Sequence, residues 1–274
     1  MLAQKPQNTL PNILQAQDSI IIYGRQIILF ALTRHPDKIK QIYLTKEIDK
    51  ATFAKLKSKP IVRIDNKKAQ ALSRGGNHQG FLASILPITP LSLKEIKGFD
   101  KILVLCGLQD MGNIGGIFRT AYCLGVEAII LADIFSDFVD SKPSLKNKSV
   151  SNISTSKNAQ KLATIIRASA GAAFDMPFCI VPSALSIVNE LKDAGFALFG
   201  ASQNGENITH IQKSLQQNKQ NPNKWALFLG SEDNGLCTKI TKKFDRILSI
   251  KMHRDFDSLN VSVAAGILMS YLLY

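Results

Sequence analysis

Short apolar runs alternate with segments of helical spacing along most of this chain, and no other feature of the sequence constrains the fold as strongly. Ile39–Leu44, Lys101–Cys106 and Trp225–Leu229 have the length and composition of buried strands, and a segment of helical spacing follows each. A strand, a helix and a second strand form a crossover unit, which builds parallel sheets covered by helices. We therefore predict an α/β fold with a mostly parallel sheet.

Two proline-bearing stretches divide the chain into segments. The first 18 residues are polar and contain two prolines, which favours a flexible arm. Pro87 and Pro90 interrupt the strand–helix alternation again, in a stretch with few apolar residues. The expected division is a flexible arm over residues 1–18, a small α/β domain over 19–86, a linker over 87–100 and a larger α/β domain over 101–274, with an exposed Gln/Asn/Lys-rich loop over 203–224.

The charge balance is strongly positive. There are 34 Lys and Arg residues against 21 Asp and Glu residues, which gives a formal net charge of +13. Such a surplus favours a nucleic acid or an anionic membrane surface, because neutralised phosphates release their counterions. A solvated lysine-rich surface explains any single cation equally well. In the first domain, the candidates for contacts with a nucleic-acid backbone are Lys38, Lys40, Lys46, Lys55, Lys57 and Lys59.

The cysteines and the apolar runs exclude several classes of protein. Cys106, Cys123, Cys179 and Cys237 form no CxxC pair and no Cys/His cluster, which argues against a zinc site and a disulfide framework. No stretch near the start resembles a signal peptide, and the apolar run before the C-terminus is too short to cross a bilayer. We predict a cytoplasmic protein with free thiols, no bound metal and no membrane anchor.

The first segment with chemical potential contains Asn113, Gly115 and Arg119. A strand end, a glycine-rich turn and a helix start would form an anion site, because backbone N–H groups and the helix dipole converge there. The glycine spacing matches neither the dinucleotide-binding fingerprint nor a P-loop. On these residues alone, a simple turn with a solvated arginine is an equally good interpretation.

Two further segments follow strands in the second half of the chain. Glu232 lies between Gly230 and Gly235, where a ligand can approach the backbone, although an acid at a helix start is also common. Ser258 or Asn260 can cap the last helix, which a well-packed core helix would equally require. Each segment by itself is therefore a weak signal.

Taken together and in order, these segments resemble a known family. N-x-G-x-x-x-R from residue 113, L-G-S-E-x-x-G-L over 229–236, and I-x-M with S-L-N-V-S-V-A over 250–264 resemble the SpoU, or TrmH-type, branch of the SPOUT RNA methyltransferases. This resemblance covers residues 101–274. Tyr23-Gly24 and His78-Gln79-Gly80 resemble the substrate-binding domain of the branch that methylates a guanosine of large-subunit (23S) ribosomal RNA.

The resemblance implies a fold, a reaction and a set of site residues. It implies a SPOUT domain with a deep trefoil knot, a homodimer with sites completed across the interface, and 2′-O-ribose methylation of RNA by S-adenosylmethionine without a metal. Ribosomal RNA is favoured over transfer RNA as the substrate, because of the additional N-terminal domain. The implied cofactor-binding residues are Gly200, Gly230, Ile250, Met252 and Leu259. The implied catalytic residues are Asn113, Arg119, Glu232, Ser258 and Asn260.

Arg119 is the central residue of this hypothesis. A guanidinium stays protonated at neutral pH, so positioning of a phosphate and stabilisation of a developing oxyanion are easier roles for it than that of a general base. Asn113 and Glu232 would orient Arg119 or the target nucleotide, while Ser258 and Asn260 would set the loop geometry or bond the ribose.

The sequence also departs from the family pattern and leaves alternatives open. Lys251 and Arg254 stand where the family commonly has proline and glycine, and they would either touch RNA phosphate or narrow the cofactor pocket. A transfer-RNA ribose methyltransferase and an inactive RNA-binding relative are the main alternatives. A Rossmann-type oxidoreductase is the third, although the required glycine spacing is absent.

Overall fold

The computed structural model describes residues 19–135, 156–210, 223–254 and 258–274. The predicted arm over 1–18 and most of the predicted loop over 203–224 lie outside these residues. No helix in the described ranges combines the length and the apolar character that crossing a bilayer requires.

The helices and strands are β1 (Ile20–Tyr23), α1 (Arg25–Arg34), β2 (Ile39–Leu44), α2 (Lys50–Leu56), β3 (Ile61–Arg63), α3 (Asn66–Ser73), β4 (Phe81–Ile85), α4 (Leu93–Ile96), β5 (Lys101–Cys106), α5 (Met111–Leu124), β6 (Ala128–Ala132), α6 (Ser156–Ala168), β7 (Phe178–Val181), α7 (Ala184–Asp193), β8 (Ala197–Asn207), β9 (Trp225–Leu229), α8 (Thr238–Thr241), β10 (Arg246–Ser249) and α9 (Val261–Leu273).

The first four strands form a small mixed sheet in the order β1-β4-β2-β3. β4 runs antiparallel to both β1 and β2, whereas β2 and β3 are parallel. Helix α1 buries Ile27, Ile28 and Ala31. Every residue of β4 is buried, as expected for a strand with a neighbour on each side and a helix against one face.

The other six strands form a wholly parallel sheet in the order β10-β8-β9-β5-β6-β7. All residues of β6 and β9 are buried, because helices cover both faces of the sheet. The predicted α/β fold with a mostly parallel sheet is confirmed.

The order of these strands reverses at the centre of the sheet. The chain first adds β6 and β7 on one side of β5, and later inserts β9 on the other side, between β5 and β8. Ligands of open α/β sheets bind outside the carboxyl ends of strands at such a reversal. β8 continues to Asn207, where its pairing with β10 shifts register, so the predicted loop does not begin at residue 203.

The segment between the two sheets is packed against the second one. It contains the short helix α4, and Ser92 and Glu95 form a reciprocal capping box at the start of that helix. Ile88 and Ile96 are buried, and the Leu91 N–H donates to the carbonyl oxygen of Phe178 at 2.7 Å. Residues 87–100 therefore hold more apolar anchors than the sequence analysis expected.

A buried carboxylate joins α1 to the second half of the molecule. Asp175, with a side chain only 10% exposed, accepts from Arg34 Nε at 2.6 Å and His35 Nε2 at 2.5 Å. The hydroxyl of Tyr122, on α5, donates to the same carboxylate at 3.0 Å. Burial raises the pKa of Asp175, but the hydrogen bonds from His35 and Tyr122 and the charge of Arg34 outweigh it and hold the pKa below its ordinary value.

Asp175→Asn is expected to lower the free energy of unfolding at neutral pH by about 1–3 kcal/mol, because hydrogen bonds to a charged acceptor are lost. Since the folded-state pKa is depressed, this contribution is present above the unfolded-state pKa and disappears as pH falls through the folded-state pKa. Urea unfolding at neutral pH and at steps below about pH 4 measures it. A difference between wild type and variant that persists unchanged in acid would contradict the assignment.

Candidate functional site

A cavity of about 360 Å³ lies at the carboxyl ends of β9 and β10, beside the middle of β8. Residues 201–204, 229–233, 235–236, 248–250 and 252 line it, and the chain from Ser258 into α9 closes it. Leu229 and Leu248 are among the apolar residues of its wall, whereas serine, asparagine and acidic side chains line the rest. Apolar walls with a few convergent polar groups are typical of sites for small organic ligands.

A chain of hydrogen bonds begins at Glu232 in the cavity wall and leads away from it. Asn113 Nδ2 donates to Glu232 Oε1 at 2.9 Å, and Asn260 Nδ2 donates to Asn113 Oδ1 at 3.0 Å. Asn260 Oδ1 in turn accepts from the backbone N–H and the hydroxyl of Ser262, at 2.9 and 2.5 Å. The amide of Asn113 is held from both ends, so the Glu232 carboxylate has a fixed partner where it lines the cavity.

The glycines of α5 belong to the helix rather than to a turn before it. The helix begins at Met111, and the Asp110 carboxylate caps it by accepting from the N–H groups of Gly112 and Asn113, at 2.5 and 3.0 Å. A Cβ on Gly115 would lie 2.4 Å from a side chain of α6, so the two helices cross closely there. The expected glycine-rich turn is therefore absent, and the cap occupies two of the N–H groups that an anion site would use.

The loop after β9 folds back on itself immediately beside the cavity. Ser231 and Gly235 form an antiparallel bridge, and the Gly235 N–H donates to the Ser231 carbonyl oxygen at 2.8 Å. A Cβ on Gly230 would lie 2.2 Å from the Gly235 carbonyl carbon and 2.6 Å from the backbone nitrogen of Leu236. Gly230 is therefore required for the shape of this loop, whatever the loop binds.

Most of the residues predicted from the sequence meet in this one place. Gly200 does not line the cavity, since a Cβ there would lie 2.4 Å from the ring of Phe244, so its small size serves packing instead. Lys251 and Arg254 are exposed and absent from the cavity wall, so neither narrows it. The predicted residues that line the cavity are Gly230, Glu232, Ile250, Met252, Ser258 and Leu259.

Arg119 lies outside the wall of the cavity formed by its own chain. It lies six residues beyond Asn113 on α5, about one and two-thirds turns, which places its side chain roughly 120° around the helix axis. The side chain is exposed, and within the described residues it has no hydrogen bond or ion pair. Unlike Asn113, it takes no part in the hydrogen-bond chain to Glu232.

Two residues of the site escaped the sequence analysis. The pattern of an acid immediately before the helix start could have identified Asp110, because aspartate is a preferred N-cap. Ser262 carries no comparable signal, since its role depends on the position of the Asn260 side chain, which it fixes by two hydrogen bonds.

Comparison with known families finds two that match this chain. Residues 100–270 match the model of the SpoU rRNA Methylase family. Residues 21–91 match the model described as RNA 2′-O ribose methyltransferase substrate binding. The first match alone spans more than half of the chain.

Individual relatives extend over nearly the whole length. A protein of Staphylococcus aureus (strain MSSA476), named as a TrmH family tRNA/rRNA methyltransferase, is 29% identical over 92% of this chain and 94% of its own. The 23S rRNA (guanosine-2′-O-)-methyltransferase RlmB of Nitrosomonas europaea is 27% identical over 90% and 88%. The SpoU methyltransferase AviRb of Streptomyces viridochromogenes, solved in complex with AdoMet, shares the fold, with a TM-score of 0.67 and 18% identity over 93% and 90% of the two chains.

Proposed function

Because this chain belongs to the SpoU rRNA Methylase family, we propose that it transfers the methyl group of S-adenosylmethionine to a ribose 2′-hydroxyl of ribosomal RNA. The observation that carries the proposal is the hydrogen-bond chain from Glu232 through Asn113 to Asn260 at the edge of a cavity built from distant segments. The name of the RlmB relative supports a guanosine of 23S ribosomal RNA as the target.

The cavity residues fit S-adenosylmethionine. The cavity walls offer apolar side chains, including Leu229, Ile250 and Leu259, for the flat adenine ring, and the carboxylates of Glu232 and Asp233 for a cation. Gly230 keeps the loop backbone close to the cavity, where carbonyl and N–H groups can serve a polar ligand. S-adenosylmethionine supplies an activated methyl group when it is bound.

The chain's own residues then have to align a weakly acidic hydroxyl. Positioning of the reacting groups can contribute roughly 7–11 kcal/mol. Asn113, fixed between Glu232 and Asn260, orients the target ribose or its phosphate, and Ser258 contributes a hydroxyl at the cavity wall. Arg119 of a second copy, packed as proposed below, binds the adjacent phosphate and stabilises the charge that develops on the 2′-oxygen.

Asn113→Asp tests this network with an almost isosteric change. The aspartate cannot donate to Glu232 and faces it with a second negative charge, so we expect the rate constant of methyl transfer to fall about tenfold to a hundredfold. Single-turnover methylation measures the loss, and calorimetry with S-adenosylmethionine is expected to find cofactor affinity within about threefold of wild type. Undiminished turnover would remove Asn113 from the proposal.

We also propose that the cavity segments form the trefoil knot of SPOUT proteins. In support, β9 lies between two strands that precede it in the chain, and β10 packs beyond β8. A Cβ on Gly205 would lie 2.6 Å from the Ile247 carbonyl oxygen, so the last part of β8 passes directly against β10.

A homodimer would complete the site. Helix α9 is apolar on nearly all sides, yet Val263 is 50% exposed and Tyr274, directly after the helix, is 75% exposed. An apolar helix normally buries most of its surface. A second copy packed on α9 and α5 would cover this face and place the partner's arginine near the cavity.

Mapping of ribose methylation at single-nucleotide resolution in a deletion strain tests the substrate. We expect one guanosine of 23S ribosomal RNA to lose its methyl group in the deletion strain and to regain it when the gene is restored. Loss of a mark in transfer RNA instead would overturn the ribosomal assignment, and an unchanged set of marks would contradict the proposed function.

A further inference from the structure

A second large cleft lies between the small mixed sheet and helix α6. It has a volume of about 590 Å³, larger than the cavity described above, and no residue is common to the walls of the two. One wall comes from β1 and the end of α3, and the other comes from α6. Nothing in the proposed mechanism uses this cleft.

Two arginines extend into the cleft wall from opposite sides. Arg74, at the end of α3, donates to the side-chain oxygen of Gln160 on α6. Arg167, on α6, donates to the hydroxyl of Tyr23 on β1, and its guanidinium lies 4.9 Å from the centre of that ring. A Cβ on Gly76 would lie 2.1 Å from the same hydroxyl, so the tyrosine packs directly against the backbone of Gly76. Both guanidinium groups are thus held in position before any ligand arrives.

The partners of these arginines leave their charge uncompensated. Gln160 and Tyr23 are neutral, and the described residues that line the cleft include no aspartate or glutamate. A guanidinium held by neutral acceptors keeps its full positive charge and still has donors to offer. This arrangement differs from that of Arg34, whose charge is balanced by Asp175.

The helices that border the cleft increase its positive potential. Helix α3 contains two lysines and helix α6 contains two lysines and Arg167, while neither helix contains an acid. Asp65 caps the start of α3 and is not part of the cleft wall. Clustered cations without acids attract phosphate groups, and arginine binds them through two parallel hydrogen bonds.

We propose that this cleft binds backbone phosphates of the RNA substrate, at a distance from the nucleotide that is methylated. The inference rests on the proposed function for the identity of the RNA, and on the paired Arg74 and Arg167 for the binding chemistry. The cleft thereby fixes the position of the substrate-binding unit and the methyltransferase unit on one RNA molecule, since it takes one arginine from each.

Gln160→Glu is the sharpest test, because it neutralises Arg74 without changing the size of the side chain or removing the hydrogen bond. We expect the Kd for a fluorescein-labelled hairpin transcript of 23S ribosomal RNA to rise about fivefold. The slope of the logarithm of the binding constant against the logarithm of the salt concentration is expected to become shallower by about one unit. The double variant Arg74→Gln, Arg167→Gln is expected to make the same slope shallower by about two units. Fluorescence anisotropy at several salt concentrations measures both.

Asn189→Asp is the matched control. Its side-chain oxygen accepts from Lys243 Nζ at 2.6 Å on the exposed surface of α7, so the variant adds one negative charge against a cation in the same way, but away from the cleft. We expect its Kd for the hairpin to stay within twofold of wild type. Equal effects of Gln160→Glu and Asn189→Asp would overturn the proposal, because the effect would then come from total charge alone.

Two further readouts separate the possible outcomes. Saturable binding of inorganic phosphate that Gln160→Glu abolishes, with hairpin binding unchanged, would assign the cleft to a free anion and overturn the RNA assignment. RNA binding is measured without methyl transfer, so a wild-type protein that fails to methylate would contradict the proposed function while the comparison of variants still decides the role of the cleft.

Discussion

Arg119→Ala is expected to lower the rate constant of methyl transfer by about a hundredfold to a thousandfold, the cost of removing one group that stabilises a developing oxyanion. Arg119 is exposed and lies outside the cavity wall, so the same change leaves the cavity intact. Calorimetry is therefore expected to find the affinity for S-adenosylmethionine within about twofold of wild type.

Arg119→Lys serves as the charge-preserving control. A lysine keeps the positive charge but loses the two-pronged geometry that matches a phosphate, so we expect only partial recovery of the rate. An alanine variant that methylates within about threefold of wild type would show that Arg119 has no part in the reaction, and the proposed mechanism would then lack its central group.

Gly230→Ala is expected to weaken binding of S-adenosylmethionine by at least about a hundredfold. The added Cβ would lie 2.2 Å from the Gly235 carbonyl carbon and 2.3 Å from its oxygen. Both are backbone atoms, so no side-chain rotation relieves the overlap and the loop from 230 to 236 must open. Calorimetric titration measures the affinity, and circular dichroism verifies that the variant is folded.

Gly195→Ala is the matched control for this change. Gly195 lies in the turn before β8 of the same sheet, has φ of +84°, and has open space where a Cβ would stand. The alanine is expected to cost about 1–2 kcal/mol of folding free energy through backbone strain, and to leave cofactor affinity unchanged. Equal cofactor affinities in the two variants would contradict the assignment of the cavity.

The two inactive variants together test whether the site spans two subunits. In a heterodimer of Arg119→Ala and Gly230→Ala, one composite site would keep both an intact cavity and an intact arginine, so about half of the wild-type activity is expected. If each site belonged to one chain, the purified heterodimer would be inactive.

The sequence predicts the elements of this fold well, and its local contacts less well. The strands Ile39–Leu44, Lys101–Cys106 and Trp225–Leu229 begin and end where their apolar runs predict, because burial on both faces demands such runs. Helix α4 was missed, since a helix of four residues gives no periodic signal. The extension of β8 to Asn207 was also missed, because pairing with β10 overrides its polar composition.

The residues of the candidate site could be identified from the sequence, but their arrangement in space could not be predicted from it. Asn113, Glu232 and Asn260 stand far apart in the sequence, and only the strand order brings their side chains within hydrogen-bonding distance. Glycines were the main source of error. Gly115 and Gly200 accommodate a neighbouring helix and a phenylalanine ring, and a sequence does not distinguish such packing from close approach of a ligand.

The position of methylation in RNA treated with the purified protein tests the account most directly. Large-subunit ribosomal RNA from a deletion strain is incubated with the protein and S-adenosylmethionine labelled in its methyl group, and is then hydrolysed in alkali. Methylation of a 2′-oxygen prevents cleavage of the adjacent phosphodiester, so we predict that the label is recovered in dinucleotides. Label recovered in mononucleotides, which indicates methylation of a base, or no transfer at all, would contradict the account.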